Sequence, residues 1–198
     1  MDADGLESAG DPIALFQRWM KDAEAGELND PSAVALATAT CDGMPSVRMV
    51  LMKQVDTEGF RFYTNVDSQK GTELSENPRA AMCFHWKSLR RQVRVSGTVT
   101  ELPTQDVDEY FHSRSRLSQL GAAASQQSRV LVSREVLETR VKELEAEFPG
   151  EIPRPGYWRG YLLRHERIEF WKDGAGRLHD RFLFSRDGDA WRKERLFP

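Results

Sequence analysis

The chain has 198 residues and a net charge of −3, with 39% hydrophobic and 30% charged residues, a balance typical of a globular protein with a hydrophobic core. No apolar stretch reaches the roughly 20 residues of a membrane-spanning helix, and the acidic, polar N-terminus lacks the features of a signal peptide. The composition thus argues against a membrane or secreted protein and predicts a cytoplasmic one.

The start of the chain predicts a tail followed by one amphipathic helix. Residues 1–10 are predicted to be a disordered tail, and residues 11–198 to form a single domain. Asp11 followed by Pro12 is typical of a helix start, with a capping carboxylate and a proline in the first turn. Gly26 is expected to end this helix. Between them, apolar residues recur at helical spacing and predict one buried face: Leu15, Phe16, Trp19, Met20 and Ala23.

Short β-branched and aromatic segments, joined by Gly-containing turns, dominate the rest of the chain and predict strands. They cover residues 33–40, 46–55, 60–65, 80–86, 92–100, 157–164, 167–172, 178–185 and 190–196. A short helix capped by Asp67 or Ser68 is expected to end at Pro78, a second helix to cover residues 105–116, and a third to follow Ser133. About eight strands with three or four inserted helices predict a mainly β, α+β fold, built as a barrel or sandwich.

Sequence motifs of several common enzyme classes are absent. No G-x-G-x-x-G segment follows a predicted strand, and the chain contains neither a G-x-x-x-x-G-K-[ST] loop nor a G-x-S-x-G segment. The four histidines, at positions 85, 112, 165 and 179, do not show the spacing of metal ligands. The sequence therefore argues against Rossmann, P-loop, serine hydrolase and zinc enzymes, and predicts no metal site.

A first group of basic side chains lies near the C-terminus. Arg177, His179 and Arg181 alternate along a predicted strand and would project from one face. Three such side chains repel one another unless an anion lies between them. The alternative is that they pair with acidic neighbours, for which the candidates are Asp180, Glu166 and Glu169.

A second group, Tyr110, Arg114 and Ser118, has the i, i+4, i+8 spacing of one stripe along a helix. A phenol, a guanidinium and a hydroxyl in a row match the donors and the charge that a phosphate prefers. The alternative is an ordinary exposed helix face, because such triplets are common.

A third group lies in the segments after the first predicted hairpin: Arg48, Lys53, Tyr63, Thr64 and Lys70. Lys70 would occupy the first turn of the short helix, where free backbone N–H groups attract anions. Arg48 and Lys53 have opposite strand parity, so both could face one ligand only across a bulge or at a sheet edge. Together the three groups predict two separate anion sites, which suit two phosphates.

These residues resemble the pattern of the pyridoxine/pyridoxamine 5′-phosphate oxidase family. EFW at 169–171 followed by RLHDR at 177–181 is similar to the C-terminal signature of that family. Further similar segments occur in the same order as in the family: RMVLMK (48–53), FYTN (62–65), RRQVRV (90–95), YFHSR (110–114), SQLGA (118–122) and QS (127–128). The resemblance extends from about residue 11 to the end of the chain.

The resemblance implies a Greek-key-like, FMN-binding split β-barrel that forms a homodimer with two flavins at the interface, with no nucleic-acid or membrane partner. It implies FMN contacts from Arg48, Met49, Val50, Leu51, Met52, Lys53, Tyr63, Thr64, Gln69, Lys70, Gln92, Gln127, Ser128, Trp171 and Arg181. It implies that the substrate phosphate is held by Lys53, Tyr110, Arg114 and Ser118. It places Arg177 and His179 over the pyridine ring of the substrate, as binding and catalytic residues.

The implied activity is FMN-dependent oxidation of pyridoxamine or pyridoxine 5′-phosphate to pyridoxal 5′-phosphate, in the synthesis and salvage of vitamin B6. O2 would be the electron acceptor, hydrogen peroxide a product, and ammonia would be released from the amine. The chain departs from residues common in the family at five positions: Gln69, Leu117, Ala123, Arg159 and Lys172. At position 69 the common residue is an arginine, so one contact to the cofactor phosphate would be lost.

Two other functions remain open from the sequence. Another flavin or deazaflavin oxidoreductase on the same barrel would have no evident need for both the Arg177–Arg181 group and the Tyr110 group. A non-catalytic binder of FMN or pyridoxal phosphate is kept open by the departures at positions 69, 117 and 123. Production of peroxide from pyridoxamine phosphate would exclude such a binder.

Overall fold

The structure of the protein is a computed structural model, and it describes residues 5–198. Within that range the chain forms nine strands: β1 (Ala33–Ala39), β2 (Pro45–Leu51), β3 (Gln54–Val55), β4 (Phe60–Asn65), β5 (Arg79–Trp86), β6 (Arg91–Glu101), β7 (Trp158–Lys172), β8 (Asp180–Asp187) and β9 (Ala190–Arg195). The same range contains five α-helices: α1 (Pro12–Gly26), α2 (Gln69–Glu76), α3 (Thr104–Ser113), α4 (Arg116–Ala124) and α5 (Arg134–Glu147). Among these helices, none has both the length and the apolar character needed to cross a membrane.

The strands form one antiparallel sheet that is split along β7. The strand order is β2-β1-β5-β6-β7-β4-β3, and β8 and β9 continue from β7 separately. One edge of β7 pairs with β6, while the other pairs first with β4 and then, from Arg167 onward, with β8. Opposite Ser96 and Gly97 of β6, strand β7 contains one extra residue, Glu166, and this β-bulge accommodates the bend. A side chain at Gly97 would collide with the Arg164 carbonyl oxygen, 1.9 Å from the ideal Cβ position. The predicted α+β, split-barrel fold is confirmed.

Helix α1 packs its apolar face into the barrel, as predicted. The Asp11 carboxylate accepts a hydrogen bond from the Ile13 N–H (2.8 Å) and caps the helix. Phe16 and Trp19 are fully buried, and the Trp19 ring meets Phe170 of β7 edge-on, with centroids 5.2 Å apart. Burial of each such side chain contributes about 1.5–3 kcal/mol to folding. A second hydrophobic cluster joins α3, α4 and α5 to the start of β7.

The predicted helix over residues 105–116 is wrong, because two helices occupy this part of the chain. Helix α3 ends at Ser113, and Arg114 is extended (ψ 156°). The hydroxyl of Ser115 then accepts from the Ser118 N–H (3.3 Å) and starts α4. Serine is a favoured N-cap residue, so the break has a local cause in the sequence.

The predicted strand over residues 46–55 is also interrupted. β2 ends at Leu51, after which the Met52 N–H donates to the Ser32 carbonyl and the Lys53 N–H to the Arg61 carbonyl. The interruption moves Lys53 out of the alternation of β2. The parity conflict between Arg48 and Lys53 therefore does not arise.

Three further expectations differ from the structure near the termini. Segments 157–164 and 167–172 form one continuous strand, β7. The strand expected from residue 178 begins at Asp180, because residues 175–177 form a 3₁₀ turn. Residues 5–10 form a turn rather than part of a disordered tail: Leu6 is buried, and the Lys193 ammonium donates to three backbone carbonyls between Leu6 and Ala9. Residues 1–4 lie outside the described range.

Candidate active site

A cleft of about 720 Å³ opens between the edge strand β2, strand β4 and helices α2, α3 and α4. This volume lies in the range of small-molecule sites. Twelve residues predicted from the sequence line it: Arg48, Met49, Val50, Leu51, Lys53, Tyr63, Thr64, Lys70, Tyr110, Arg114, Ser118 and Gln127. The side chain of Met52 is buried in the hydrophobic core instead, so only its backbone is available to a ligand.

Lys70 provides a buried cation at one end of the cleft. Its ammonium donates to Gln127 Oε1 (2.6 Å), Thr64 Oγ1 (3.2 Å) and Ser68 Oγ (3.2 Å). The side chain enters the cleft from the first turn of α2, which Ser68 caps. Burial, followed by the nearby Arg48 charge, lowers the pKa of Lys70 to about 8, although Glu73 opposes this shift. A buried cation at a helix start suits an anionic ligand group.

Glu73, which the sequence reading did not single out, lies beneath this end of the cleft. It is 3% exposed and accepts hydrogen bonds from the side chains of Ser46 (2.6 Å), Gln69 (2.9 Å) and Thr38. Arg48 Nη2 lies 3.4 Å from its Oε2. Burial opposes ionisation, but these donors and the Arg48 charge together lower the pKa of Glu73. Its position four residues after Gln69 on a helix is the signal that could have identified it.

Gln69 and Ser128 lie beside this network. The Gln69 backbone N–H donates to Ser128 Oγ (3.2 Å), so the two residues are neighbours. The Gln69 side chain, however, is bound to Glu73 and does not line the cleft. Ser128 has a φ of +71°, a backbone conformation that is costly outside glycine and is often kept at functional sites.

Tyr110, Arg114 and Ser118 lie together at the other end of the cleft, although they do not share one helix. Arg114 Nη1 is buried and has no hydrogen-bond partner among residues 5–198. Burial lowers the pKa of Arg114 and raises that of Tyr110. A buried donor without a partner costs about 1–3 kcal/mol, which an anionic ligand group would recover.

Five predicted residues lie outside the cleft and around the β7–β8 turn: Gln92, Trp171, Arg177, His179 and Arg181, here called the turn cluster. They do not project from one strand face, because Arg177 is in the 3₁₀ turn with a φ of +64°. The ring of His179 packs on Trp171, with centroids 4.6 Å apart. Trp171 pairs across the sheet with Gln92 on one side and Arg181 on the other.

Pairing with acidic residues accounts for part of the turn cluster. The Arg181 guanidinium binds Glu169 Oε1 through Nε (3.0 Å) and Nη2 (2.8 Å), which is the alternative that the sequence left open. His179 Nδ1 accepts from the Gly174 N–H (3.2 Å) and lies 3.2 Å from the Asp173 carboxylate. Arg177 is exposed and takes no part in the ion pairs found within residues 5–198.

Within one chain the turn cluster lies far from the end of the cleft that contains Tyr110 and Arg114. Trp158 lines the cleft and Trp171 belongs to the turn cluster, and they lie near opposite ends of β7. Thirteen residues of strand span about 40 Å along the chain. One copy of the chain thus presents two donor-rich regions that do not share a cleft.

The cleft also contains residues that the sequence reading missed, which are Asn65, Ser115, Gly121, Ala122, Ser125 and Trp158. The break between α3 and α4 brings most of them to its wall. Recognition of Ser115 as a helix cap would have indicated this.

Comparison with known proteins identifies two family models that match this chain. The model for pyridoxamine 5′-phosphate oxidase matches residues 20–147. The model for the pyridoxine 5′-phosphate oxidase C-terminal dimerisation region matches residues 158–198, which include four of the five residues of the turn cluster.

Relatives of similar length carry the same name. A pyridoxine/pyridoxamine 5′-phosphate oxidase of Gluconobacter oxydans (strain 621H) is 53% identical over 98% of this chain and 97% of its own length. One of Rhizobium etli (strain CIAT 652) is 55% identical over 96% of this chain and 94% of its own length.

Two solved structures have a similar fold. PhzG from Burkholderia lata 383, in complex with tetrahydrophenazine-1-carboxylic acid, has a TM-score of 0.91 at 36% identity, over 96% of this chain and 94% of that one. A pyridoxamine 5′-phosphate oxidase-related, FMN binding protein from Nostoc punctiforme PCC 73102 has a TM-score of 0.77 at 18% identity, over 96% of this chain and 100% of that one.

Proposed function

Because this chain belongs to the pyridoxamine 5′-phosphate oxidase family, we propose that it oxidises pyridoxamine and pyridoxine 5′-phosphates to pyridoxal 5′-phosphate with bound FMN. The observation that carries the proposal is the pair of donor-rich ends in one cleft. Lys70 and Arg48 lie at one end, and Arg114, whose buried Nη1 has no hydrogen-bond partner in the described part of the chain, lies at the other. Two ligands that each carry a phosphate would use both.

The residues present suit FMN at the Lys70 end. Lys70, Thr64 and Gln127 provide a cation, a hydroxyl and an amide within hydrogen-bond reach of one another, and the Ser128 hydroxyl accepts from the Gln69 N–H beside them. That donor set matches a phosphate. The backbone of β2 from Met49 to Leu51 forms the wall beside it. The chemistry that FMN supplies when bound is acceptance of a hydride from C4′ of the substrate and transfer of the electrons to O2.

The substrate would be held by its phosphate at the opposite end. Arg114, Tyr110 and Ser118 would donate to the phosphate, and Lys53 would add a second charge. Fixing the phosphate orients C4′ for reaction, and such positioning lowers the barrier by reducing the entropy that is lost in the reaction itself. With the amine as substrate, water then replaces ammonia at C4′, and the aldehyde forms.

We further propose that the turn cluster completes the site across a homodimer. β2 pairs on one side only among the described strands, and it exposes alternate apolar side chains: Val47 (68%), Met49 (64%) and Leu51 (38%). Such a face on an edge strand is typical of a surface that another chain covers. Gln92, Trp171 and Arg181 of the partner subunit would face FMN.

Arg177 and His179 of the partner subunit would lie over the substrate ring. His179 Nδ1 is engaged by the Gly174 N–H and the Asp173 carboxylate, each at 3.2 Å, so Nε2 is the ring nitrogen left to face the reacting substituent. The Arg177 charge would bias the substrate ring electrostatically.

The visible spectrum of the purified protein tests this function. A yellow chromophore should bleach on addition of pyridoxamine 5′-phosphate without oxygen, and admission of O2 should restore it with release of hydrogen peroxide. A yellow protein that pyridoxamine 5′-phosphate does not bleach would instead be another flavin oxidoreductase. Tetrahydrophenazine-1-carboxylic acid is the comparison compound, because the PhzG structure contains it. A protein that binds FMN and pyridoxal phosphate but forms no peroxide would be a binder alone.

A further inference from the structure

Three aromatic rings from separate elements stack at the Arg114 end of the cleft. The ring centroid of Tyr63 (β4) lies 4.0 Å from that of Tyr110 (α3) and 5.2 Å from that of Trp158 (β7), and the Tyr110 and Trp158 centroids are 6.1 Å apart. The planes deviate from parallel by 22° and 11°. Trp158 is 6% exposed and is also packed edge-on against Phe111. The stack therefore belongs both to the second hydrophobic cluster and to the wall of the cleft.

The Arg114 guanidinium lies over the rings of Trp158 and Phe111. Its central carbon is 5.0 Å from the Trp158 ring centroid and 5.9 Å from that of Phe111. α3 has ended one residue earlier, and Gln119 holds the Arg114 backbone by donating to its carbonyl (2.9 Å). Arg114 has no carboxylate partner among residues 5–198. The aromatic rings are therefore what fixes the direction of the side chain.

An aromatic ring and a carboxylate can each hold the Arg114 side chain in place, but they differ in whether its N–H donors stay available to a ligand. A carboxylate would occupy the N–H donors and neutralise the charge, and both are needed by an arriving phosphate. A ring face attracts the cation through its quadrupole and leaves the N–H groups in the guanidinium plane free. This difference explains how a half-buried guanidinium can be held in place while its buried Nη1 has no hydrogen-bond partner among residues 5–198.

We propose that Trp158 is a positioning residue for the substrate phosphate, which it serves by holding Arg114, and through Tyr63 the phenol of Tyr110, in the geometry that binds the anion. The inference rests on the proposed function and assigns a role to a residue that neither the motifs nor the anion-site argument included. On this proposal the affinity for the phosphate depends partly on Trp158, a side chain that carries no charge.

Steady-state kinetics of the FMN-loaded Trp158→Leu and Trp158→Phe variants test the role. Trp158→Leu should raise the KM for pyridoxamine 5′-phosphate about tenfold, while kcat changes less than about twofold, because a desolvated cation–π contact is lost. Trp158→Phe keeps a ring and should recover most of the affinity. Leu144→Ala is the matched control, since Leu144 is buried in the same cluster and does not line the cleft. It should leave KM unchanged.

A double-mutant cycle separates positioning from a general structural effect. In an Arg114→Ala background, Trp158→Leu should raise KM by less than about twofold, because the group it acts through is gone. An undiminished effect in that background, or a fall in kcat at constant KM, would overturn the proposal. The dissociation constant of pyridoxal 5′-phosphate gives the same comparison without turnover. Absence of turnover in the wild-type protein would count against the proposed function, whereas the cycle reports on Trp158 alone.

Discussion

Lys70 in the cleft is a buried charge whose geometry neighbours in the same chain fix, whereas Arg177 in the turn cluster is an exposed charge. Lys70 is 7% exposed and bound by three side-chain oxygens. Arg177 is exposed in a left-handed turn, next to Leu178 at 76% exposure. The cleft is therefore organised by the fold of one chain, while the turn cluster is organised only in part.

This difference favours a partner subunit as the source of the second half of the proposed site. Ion pairs between exposed side chains contribute only about 0–1 kcal/mol, so pairs such as Arg195–Asp180 (2.9 Å) hold the turn weakly. A partner subunit that covers Leu178 and the exposed face of β2 would supply the missing order. The predictions below test that division, beginning with the largest effect.

Mixed dimers test whether each active site combines the cleft of one subunit with the turn cluster of the other. Arg114→Ala and Arg177→Ala should each reduce turnover at low substrate concentration, the latter by about a hundredfold through loss of electrostatic stabilisation. A dimer with one subunit of each kind, isolated with two different affinity tags, should recover about half of the wild-type activity, because one of its two sites is intact. If each site were built from one chain, both sites would stay defective and no activity would return.

Arg114→Ala on its own should act on binding rather than on chemistry. The loss of a charge-assisted contact worth about 1.5–3 kcal/mol should raise the KM for pyridoxamine 5′-phosphate by about tenfold to a hundredfold. Flavin content should stay constant, because FMN is assigned to the Lys70 end. Absorbance at saturation and initial rates check both statements, and an unaltered KM would remove Arg114 from the phosphate site.

FMN affinity should depend on pH through Lys70, with a smaller effect. The ammonium form binds the phosphate, so affinity should be constant below the pKa of about 8 and fall by up to about tenfold per pH unit above it. Arg48 and Glu73 are the charged groups that face Lys70, and Lys70→Arg keeps the charge throughout this range. Quenching of FMN fluorescence should show the pH dependence in the wild-type protein and its loss in Lys70→Arg. The same dependence in both proteins would contradict the assignment.

The sequence predicted the two regions unequally. Local signals were sufficient for α1, with its Asp11 cap, for α2 and for the short strands, because caps and alternation depend on near neighbours. Local signals did not predict the bounds of strands that are set by pairing with strands distant in sequence. β7 continues through residues 164–166 because it pairs with β6 on both sides of a bulge at Glu166, and residues 178–179 lie outside β8 because the 3₁₀ turn precedes them.

The candidate site shows the same limit. Tyr110, Arg114 and Ser118 were grouped correctly for a reason that proved wrong, since a helix break rather than a shared stripe brings them to the cleft. Glu73 and Trp158 were missed because a buried carboxylate and a ring that supports an arginine carry no motif. Their roles depend on which elements the fold brings together.

The smallest expected effect concerns His165, in the middle of the strand that joins the two regions. Its ring packs between Phe60 and Trp191, and Nε2 is buried with no partner among residues 5–198. Burial lowers the pKa of His165 below its ordinary value of 6.5. As the pH falls below that value, the unfolded chain takes up a proton that the folded chain excludes, so stability should fall. His165→Leu should lose less of its free energy of unfolding between pH 7 and 5.5 than the wild-type protein. Urea titrations at both pH values measure this, and equal losses would show that His165 titrates freely in the folded protein.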